Sequence, residues 1–159
     1  MDEYLAATET VIASGPFDAS LRDALRAAMH TLANLPDIGR SWLAHGDFDA
    51  KHICADPDSH TYTGIIDFGE IRGADPLYDL GHLSVHAADA FGTDVCEPVL
   101  TGYQERVDLP GDWLGEIHLQ TVAITTRALA IQLGRPESAY RRALIDRLHP
   151  LLDAFFSDG

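Results

Sequence analysis

Strand-like sequence patterns are confined to one short part of this chain, between residues 42 and 66. The apolar run Trp42-Leu43-Ala44 comes first, and two further segments, 52–55 and 61–66, flank the sequence Asp56-Pro57-Asp58-Ser59. Aspartate, proline and serine favour tight turns, so the two flanking segments predict a β-hairpin. A hairpin this small restricts the chain to folds in which helices supply most of the core.

Helical patterns lie on both sides of this region. Residues 3–13 can form a short helix, and Ser20 with Asp23 has the signature of a capping box for a helix that ends by Pro36. After residue 75 the patterns are helical throughout, starting at the N-cap sequence Asp75-Pro76. Two later helices carry the apolar stripes Trp113, Ile117, Ile124, Ala128 and Ile131, closed by Gly134, and Tyr140, Leu144, Leu148, Leu151, Leu152 and Phe155, opened by Pro136. The sequence predicts an α+β fold that is mainly α.

The charge of the chain excludes two classes of partner. A net charge of −14 over 159 residues argues against nucleic acid and anionic membranes, which require clustered Lys and Arg.

No apolar run is as long as the roughly 18 residues needed to span a bilayer, and the acidic N-terminus does not resemble a signal peptide. Cys54 and Cys96 form no zinc pattern, so we expect a cytoplasmic protein, with reduced thiols favoured over a disulfide.

The acidic residues are unevenly distributed. Between residues 75 and 116 one basic side chain, Arg106, stands against nine acidic ones: Asp75, Asp79, Asp89, Asp94, Glu97, Glu105, Asp108, Asp112 and Glu116. Two interpretations remain open. The segment is either a solvated face or a surface that attracts a cationic ligand.

Two aspartates bracket the predicted hairpin. Asp47 precedes it, and Asp67 follows the apolar run Gly64-Ile65-Ile66, which we interpret as a buried strand. A carboxylate at the end of a buried strand is costly unless it binds a cation or hydrogen-bond donors. With His52 between them, the two carboxylates fit a metal-assisted phosphoryl-transfer site, in which one orients the attacking hydroxyl and others hold Mg²⁺.

Three sequence blocks occur in order: HGDFDAKH at residues 45–52, GIIDFGE at 64–70 and DPLYDL at 75–80. Together they resemble the aminoglycoside phosphotransferase and choline kinase-like superfamily. The resemblance implies one protein-kinase-like C-terminal lobe over residues 1–159. In it, residues 1–40 supply leading helices, 41–74 the catalytic loop and metal-binding hairpin, and 75–159 a helical substrate-binding region.

The resemblance also implies roles for three residues of the site. Asp47 matches the catalytic aspartate that receives the substrate hydroxyl, and Asp67 matches the metal-binding aspartate. His52 stands where the family usually has Asn as the second metal ligand. Histidine also tends to occupy this position in the branch that phosphorylates the 2″-hydroxyl of aminoglycosides, which the catalytic loop resembles most.

Four further residues match supporting positions. His45 and Asp79 correspond to residues that brace the catalytic loop and the helix after it. Glu70 falls where the 2″ branch often has Asp. Lys51 lies inside the catalytic loop, where it is either a phosphate contact or a solvent-facing side chain.

The N-terminal nucleotide lobe of this family has no counterpart in the sequence. Before His45 there are 44 residues with helical patterns, no glycine-rich phosphate loop occurs, and Lys51 is the single lysine. The residues that would bind the nucleotide therefore cannot be named. We expect Mg²⁺ with ATP or GTP to bind weakly, or to depend on a separate N-terminal-lobe partner; a homodimer is a further possibility.

The expected function is transfer of the nucleotide γ-phosphate to a hydroxyl of a cationic small molecule such as an aminoglycoside, the chemistry of antibiotic resistance. One alternative is a non-catalytic binding module, or remnant lobe, for a cationic small molecule. Another is a metal-dependent hydrolase or lyase whose ligands are His45, Asp47, Asp49 and His52.

His82 and His86 are four residues apart, a spacing that can bind zinc, but packing near the catalytic loop is favoured.

Overall fold

The structure is a computed structural model that describes residues 1–36, 41–91, 96–109 and 111–157, and the side chains of all but 87–91, 96–97 and 155–157. In these ranges the elements are α1 (Asp2–Ser14), α2 (Ala19–Ala33), β1 (Trp42–Ala44), β2 (Ile53–Ala55), β3 (Tyr62–Ile65), β4 (Arg72–Ala74), α3 (Tyr78–Phe91), α4 (Cys96–Gln104), α5 (Trp113–Leu133) and α6 (Ala139–Ser157). The predicted α+β fold, mainly α, is confirmed.

The chain divides into two compact units. The first contains Met1–Pro36 and His118–Gly159, and the second contains Asp37–Ile117. Helix α5 contributes residues to both. The organisation of residues 1–159 as one lobe stays a prediction.

The first unit is helical. Its core consists of side chains from α1, α2, α5 and α6, among them Val11, Leu25, Met29, Val122, Leu129, Leu144, Leu148 and Leu152. Helix α2 begins at Ala19 because the Asp18 carboxylate accepts a hydrogen bond from the Leu21 N–H at 2.9 Å. The predicted capping box is therefore wrong: the cap lies two residues before Ser20, and Asp23 forms an ion pair with Arg26 instead.

The second unit contains two small antiparallel sheets. Strands β2 and β3 pair Ile53 with Ile65 and Cys54 with Gly64, which confirms the predicted hairpin. Strands β1 and β4 pair Trp42 with Ala74. Strand β4 was not predicted, because three residues containing a glycine carry no alternating pattern. The two sheets bring the ends of the 45–52 loop and the 66–71 segment together.

Helices α3, α4 and the start of α5 complete the second unit around a small core of Leu77, Leu80 and Ile117. Helix α3 begins at Tyr78, later than the predicted start, because the Asp75 carboxylate accepts a hydrogen bond from the Leu77 N–H (2.8 Å) and forms a turn first. In the described part of the chain, no helix combines the length and apolarity needed to cross a membrane.

Candidate functional site

The loop after β1 is attached to helix α3 by one carboxylate. Asp79, in the first turn of α3, accepts hydrogen bonds from the backbone N–H groups of His45 (2.7 Å) and Gly46 (3.0 Å). Hydrogen bonds to an ionised acceptor are stronger than neutral ones. The backbone immediately before Asp47 is therefore held in place by a residue more than 30 positions later in the sequence.

Gly46 allows this loop to pass close to the segment after β3. Its φ is +88°, a left-handed conformation, and a Cβ atom at this position would lie 2.0 Å from the Glu70 carbonyl oxygen. No side chain fits that space, so a glycine is required here. The close approach brings Asp47 and the 67–70 segment into one site.

His45 connects the same two segments through hydrogen bonds. Its buried imidazole donates from Nε2 to the Ile66 carbonyl oxygen at 2.8 Å, and its Nδ1 accepts a long hydrogen bond (3.4 Å) from the Asp47 N–H. Both ring nitrogens are thus in use by the backbone. His45 supports Asp47 on one side and the residue before Asp67 on the other.

His52 lies between the two aspartates. It is buried in a 3₁₀ turn (Ala50–His52), and its Nδ1 donates to the Asp47 carbonyl oxygen at 2.8 Å. Its Nε2 lies 3.5 Å from Asp67 Oδ2. With the proton on Nδ1, Nε2 presents a lone pair to a carboxylate oxygen. These two electron-pair donors converge, so His52 and Asp67 fit a metal ion as a pair of ligands.

Asp67 differs from the sequence-based expectation in one respect. Its side chain is 63% exposed, so the burial argument used to predict its role is wrong for this chain. Its backbone is instead unusual: φ of 67° and ψ of 56° place it in the left-handed region. Asp tolerates this conformation better than most residues, but such outliers still carry strain and concentrate at functional sites.

Lys51 and Asp49 form an ion pair inside the loop. Lys51 Nζ lies 3.0 Å from Asp49 Oδ2, and the Lys51 backbone N–H donates to Asp49 Oδ1 at 3.1 Å. Burial opposes ionisation of Asp49, but the hydrogen bonds from Lys51 outweigh it and lower the pKa of this carboxyl below its ordinary value. His86 Nε2 is 4.0 Å from the same carboxylate. Lys51 thus pairs with a carboxylate of its own loop.

Glu70, His82 and His86 each lie close to a charged side chain. Glu70 forms a 2.6 Å ion pair with Arg72 on β4. His82 Nδ1 lies 3.9 Å from Asp47 Oδ1, whereas His86 approaches Asp49. The two histidines thus face different loop carboxylates, as the preference for packing near the catalytic loop anticipated.

The metal centre required by the hydrolase alternative is not assembled. Across the described residues, no group of three or more His, Cys, Asp or Glu side chains is arranged to hold a metal ion. For His45 the reason is direct, because both of its ring nitrogens are hydrogen-bonded to the backbone. A cation at His52 and Asp67 would need its remaining ligands from outside these side chains, such as nucleotide phosphates or water.

A cavity of about 310 Å³ lies behind the loop, lined mainly by apolar side chains that include Trp42, Phe48 and Tyr103. Asp75 and Asp79 contribute to its wall, but Asp47 and Asp67 do not. The two site aspartates instead open to solvent, at 39% and 63% exposure of their side chains. The groups that could perform chemistry therefore lie outside this cavity.

Within the acidic segment, residues 75–116, the carboxylates of Asp75 and Asp112 lie close enough to Glu116 to affect it. Burial raises the pKa of Glu116, and the neighbouring carboxylates of Asp75 and Asp112 raise it further. Asp94 lies outside the described residues, as do the side chains of Asp89 and Glu97. A cationic group would relieve the repulsion of Glu116 by Asp75 and Asp112.

Sequence patterns alone left the roles of two residues near Asp47 undecided. Asp49 entered only as a ligand of the alternative metal centre, and His82 as half of a zinc spacing or, preferably, as a residue packing near the catalytic loop. The four-residue spacing of His82 and His86 did indicate one helix face. It could not indicate which loop groups that face would meet.

Comparison with known proteins identifies one family. The model of the phosphotransferase enzyme family (APH) matches residues 3–116. No curated protein matches the sequence.

Two solved structures share the fold. The GDP complex of wild-type aminoglycoside 2'-phosphotransferase-IIIa is 24% identical over 99% of this chain and 51% of its own, with a TM-score of 0.64. The GDP and kanamycin complex of APH(2")-IIia is 25% identical over 99% of this chain and 52% of its own, with a TM-score of 0.66. The chain spans about half the length of the structures it matches.

Proposed function

Because this chain belongs to the phosphotransferase enzyme family, we propose that it is the phosphoryl-transfer half of a kinase that acts on a hydroxyl group of a cationic small molecule. The observation that carries the proposal is the position of His52. One of its ring nitrogens binds the Asp47 backbone at 2.8 Å, and the other lies 3.5 Å from Asp67. The His52 imidazole thus lies between Asp47, the proposed base, and Asp67, the proposed metal ligand.

Each residue of the site has a role in the proposal. Asp47 orients the attacking hydroxyl and accepts its proton. Asp67 and His52 hold Mg²⁺, through a carboxylate oxygen and Nε2. When bound, the ion would neutralise charge on the transferring phosphoryl group. His45 and Asp79 keep the Asp47 backbone in position, which is the main contribution that a protein makes to this reaction.

The cofactor and substrate are proposed by analogy. The two related structures contain GDP, and one also contains kanamycin. We propose a purine nucleoside triphosphate, ATP or GTP, as the donor and an aminoglycoside as the acceptor. The repelling carboxylates of Asp75, Asp112 and Glu116 support a cationic acceptor.

The nucleotide site is incomplete in these 159 residues. Ile66, Phe68 and Ile71 flank Asp67 and are each about half exposed, so a covering surface would bury apolar area next to the metal ligands. We propose that a polypeptide segment outside this sequence supplies that surface and the rest of the nucleotide contacts. A separate N-terminal-lobe partner and a homodimer are both compatible with this. A cytoplasmic location is part of the same proposal.

Calorimetric titration of the chain with Mg-GTP or Mg-ATP tests the metal assignment. We expect binding weaker than micromolar, with a magnesium-dependent component that Asp67→Asn removes. Asp58→Asn, in the exposed hairpin turn, is the matched loss of one charge and should leave the titration unchanged. Micromolar binding by the isolated chain would contradict an incomplete nucleotide site, and an unaffected Asp67→Asn variant would contradict the metal assignment.

Transfer of radiolabelled phosphate from the nucleotide to kanamycin tests the reaction. Asp47→Asn should lower turnover by roughly 10²-fold or more, as expected for loss of a general base, while kanamycin binding persists. The binding-module alternative also predicts that kanamycin binding persists in Asp47→Asn, but it predicts no phosphate transfer by the wild-type chain. It is favoured if the wild-type chain binds kanamycin but transfers no phosphate, including when a nucleotide lobe from a relative is added.

A further inference from the structure

His82 is a buried histidine that faces the proposed catalytic base with an unsatisfied ring nitrogen. It lies one turn into α3, and its side chain is only 10% exposed. Its Nδ1 has no hydrogen-bond partner among the described residues. The nearest acidic group is the Asp47 carboxylate, whose Oδ1 lies 3.9 Å from Nδ1. A buried polar atom without a partner is costly, and such an atom next to a functional group requires an explanation.

The other ring nitrogen has a partner. His82 Nε2 lies 3.2 Å from the hydroxyl oxygen of Tyr78, one turn earlier on the same helix. The two rings are edge to face with centroids 5.0 Å apart, and the Arg72 guanidinium lies over the Tyr78 ring. Tyr78 is itself buried. The hydroxyl and the ring of Tyr78 therefore fix the position of the His82 imidazole.

Burial decides the charge of this imidazole. It lowers the pKa of His82 to about 4, although the carboxylates of Asp47 and Asp79 act in the opposite direction and His86 and Arg72 reinforce the lowering. The ring is therefore neutral near pH 7 and carries one proton. With that proton on Nε2, the Nδ1 lone pair would point at the Asp47 carboxylate. With the proton on Nδ1, an N–H faces the carboxylate and the Tyr78 hydroxyl can donate to Nε2.

We propose that His82 is a positioning residue for Asp47: its neutral imidazole, with the tautomer set by Tyr78, directs Nδ1–H at Asp47 Oδ1. The inference rests on the proposed function, in which Asp47 is the base. A separation of 3.9 Å is too long for a hydrogen bond. Catalytic hydrogen bonds are often long without substrate and shorten in the reactive complex. Contact with Oδ1 leaves Oδ2 to receive the hydroxyl proton.

The tautomer can be measured directly on the intact chain. Two-bond ¹H–¹⁵N spectra of the labelled histidines distinguish Nδ1–H from Nε2–H imidazole. We expect His82 to be neutral and Nδ1-protonated near pH 7. Asp47→Asn should shift its Nδ1 resonance, and Tyr78→Phe should raise the Nε2–H fraction. His86, which approaches Asp49 instead, is the internal control and should change little in Asp47→Asn.

An Nε2–H tautomer of His82 in the wild-type chain would overturn the proposal. So would a His82 Nδ1 resonance that does not respond to Asp47→Asn. Neither result depends on whether the chain transfers phosphate. Absence of turnover by the wild-type protein would count against the proposed function alone, because the spectra report the tautomer of His82 without any reaction.

Turnover gives a second measurement with a matched pair of variants. An asparagine side chain places its amide N–H close to the position of Nδ1, whereas leucine fills similar space without a donor. We expect His82→Leu to lower kcat roughly tenfold to a hundredfold, as for loss of a hydrogen bond to a charged group, with KM for the acceptor unchanged. His82→Asn should recover most of the loss. Equal kcat in both variants would indicate a purely structural role.

Discussion

The backbone around Asp47 is held by three side chains, two from its own loop and one from helix α3. The Asp47 N–H and carbonyl groups are bound by His45 and His52, and the two preceding N–H groups are bound by Asp79. Backbone and side-chain donors pre-arranged in this way cost no reorganisation when charge develops. At the scale of single residues, the site is thus a loop held by three side chains around one carboxylate.

Gly46→Ala should destabilise the chain more than any other single-methyl addition near the site. The new Cβ would lie 2.0 Å from the Glu70 carbonyl oxygen at a φ of +88°, so we expect a loss of more than about 2 kcal/mol in the free energy of unfolding. Urea denaturation measures the loss. Gly64→Ala adds the same methyl where nothing lies within 4 Å, and it should change stability by less than about 0.5 kcal/mol. Equal effects would show that the close approach at Gly46 is not required.

Lys51→Met should destabilise the chain in a pH-dependent manner. It removes the ammonium group that lowers the pKa of Asp49 below 3.8 and keeps the hydrocarbon stem. A carboxyl with a lowered pKa contributes stability that is complete above its unfolded-state pKa and is lost as pH falls through the folded-state pKa. We expect a deficit of about 1 kcal/mol near pH 7 that shrinks in strongly acidic solution. Urea denaturation across this range is the measurement, and a deficit independent of pH would contradict the ion-pair explanation.

At the scale of elements, two very short sheets determine where the loops meet. The β2–β3 hairpin places His52 and Ile66 side by side, since the Ile66 N–H donates to the His52 carbonyl oxygen at 3.0 Å. The β1–β4 pair brings the residues before His45 next to those after Glu70. Strands of three or four residues are marginal by themselves. Hydrogen bonds outside the strands add to these pairings. His45 Nε2 donates to the Ile66 carbonyl oxygen, and Asp79 on α3 accepts from the His45 and Gly46 N–H groups.

Asp18→Ala should destabilise helix α2. Asp18 is the N-cap residue of that helix, and replacing such a cap by alanine costs about 1 kcal/mol. The matched control is Ser20→Ala, which removes the hydroxyl at the cap position that the sequence suggested. It should be close to neutral. Thermal unfolding followed by circular dichroism compares the two, and a larger effect at Ser20 would reverse the assignment.

At the scale of the whole chain, two features bear on the proposed ligands: the acidic excess and the share of the related structures that the chain covers. A net charge of −14 attracts cationic small molecules at low salt, and this attraction weakens with ionic strength. The chain spans about half the length of the solved structures it matches. Under the proposed function, the acceptor contacts lie in these 159 residues, and a segment outside this sequence supplies the rest of the nucleotide contacts.

The two compact units should unfold together. Both tryptophans, Trp42 and Trp113, belong to the second unit, whereas α1, α2 and α6 belong to the first. Since α5 contributes residues to both units, we predict that fluorescence and far-ultraviolet circular dichroism give coincident urea transitions, the behaviour of a single cooperative domain. A fluorescence transition at lower urea than the helical one would show that residues 1–159 are two domains.

The predictable and unpredictable parts of the fold differ in physical origin. Apolar periodicity is local, so it predicted the long helices, including the end of α5 before Gly134. The hairpin was predicted because turn residues separate its strands. Strand β4 was not, because three residues carry no pattern and only pairing with β1 makes them a strand. The cap of α2 was misplaced because Ser20 and Asp18 are both good caps, and the local backbone selects between them.

The sequence by itself predicted the family, which the comparisons show, and it also supplied the proposed base and metal ligands, because all of these are residue types at set spacings along the chain. Tertiary structure decided the rest: that Asp67 is exposed, that Lys51 pairs with Asp49, and that His45 is engaged by backbone rather than by metal. It also placed His82 against Asp47, whereas the sequence had favoured only packing somewhere near the catalytic loop. Burial and hydrogen-bond partners arise between segments that are distant in sequence, and spacing along the chain carries no record of them.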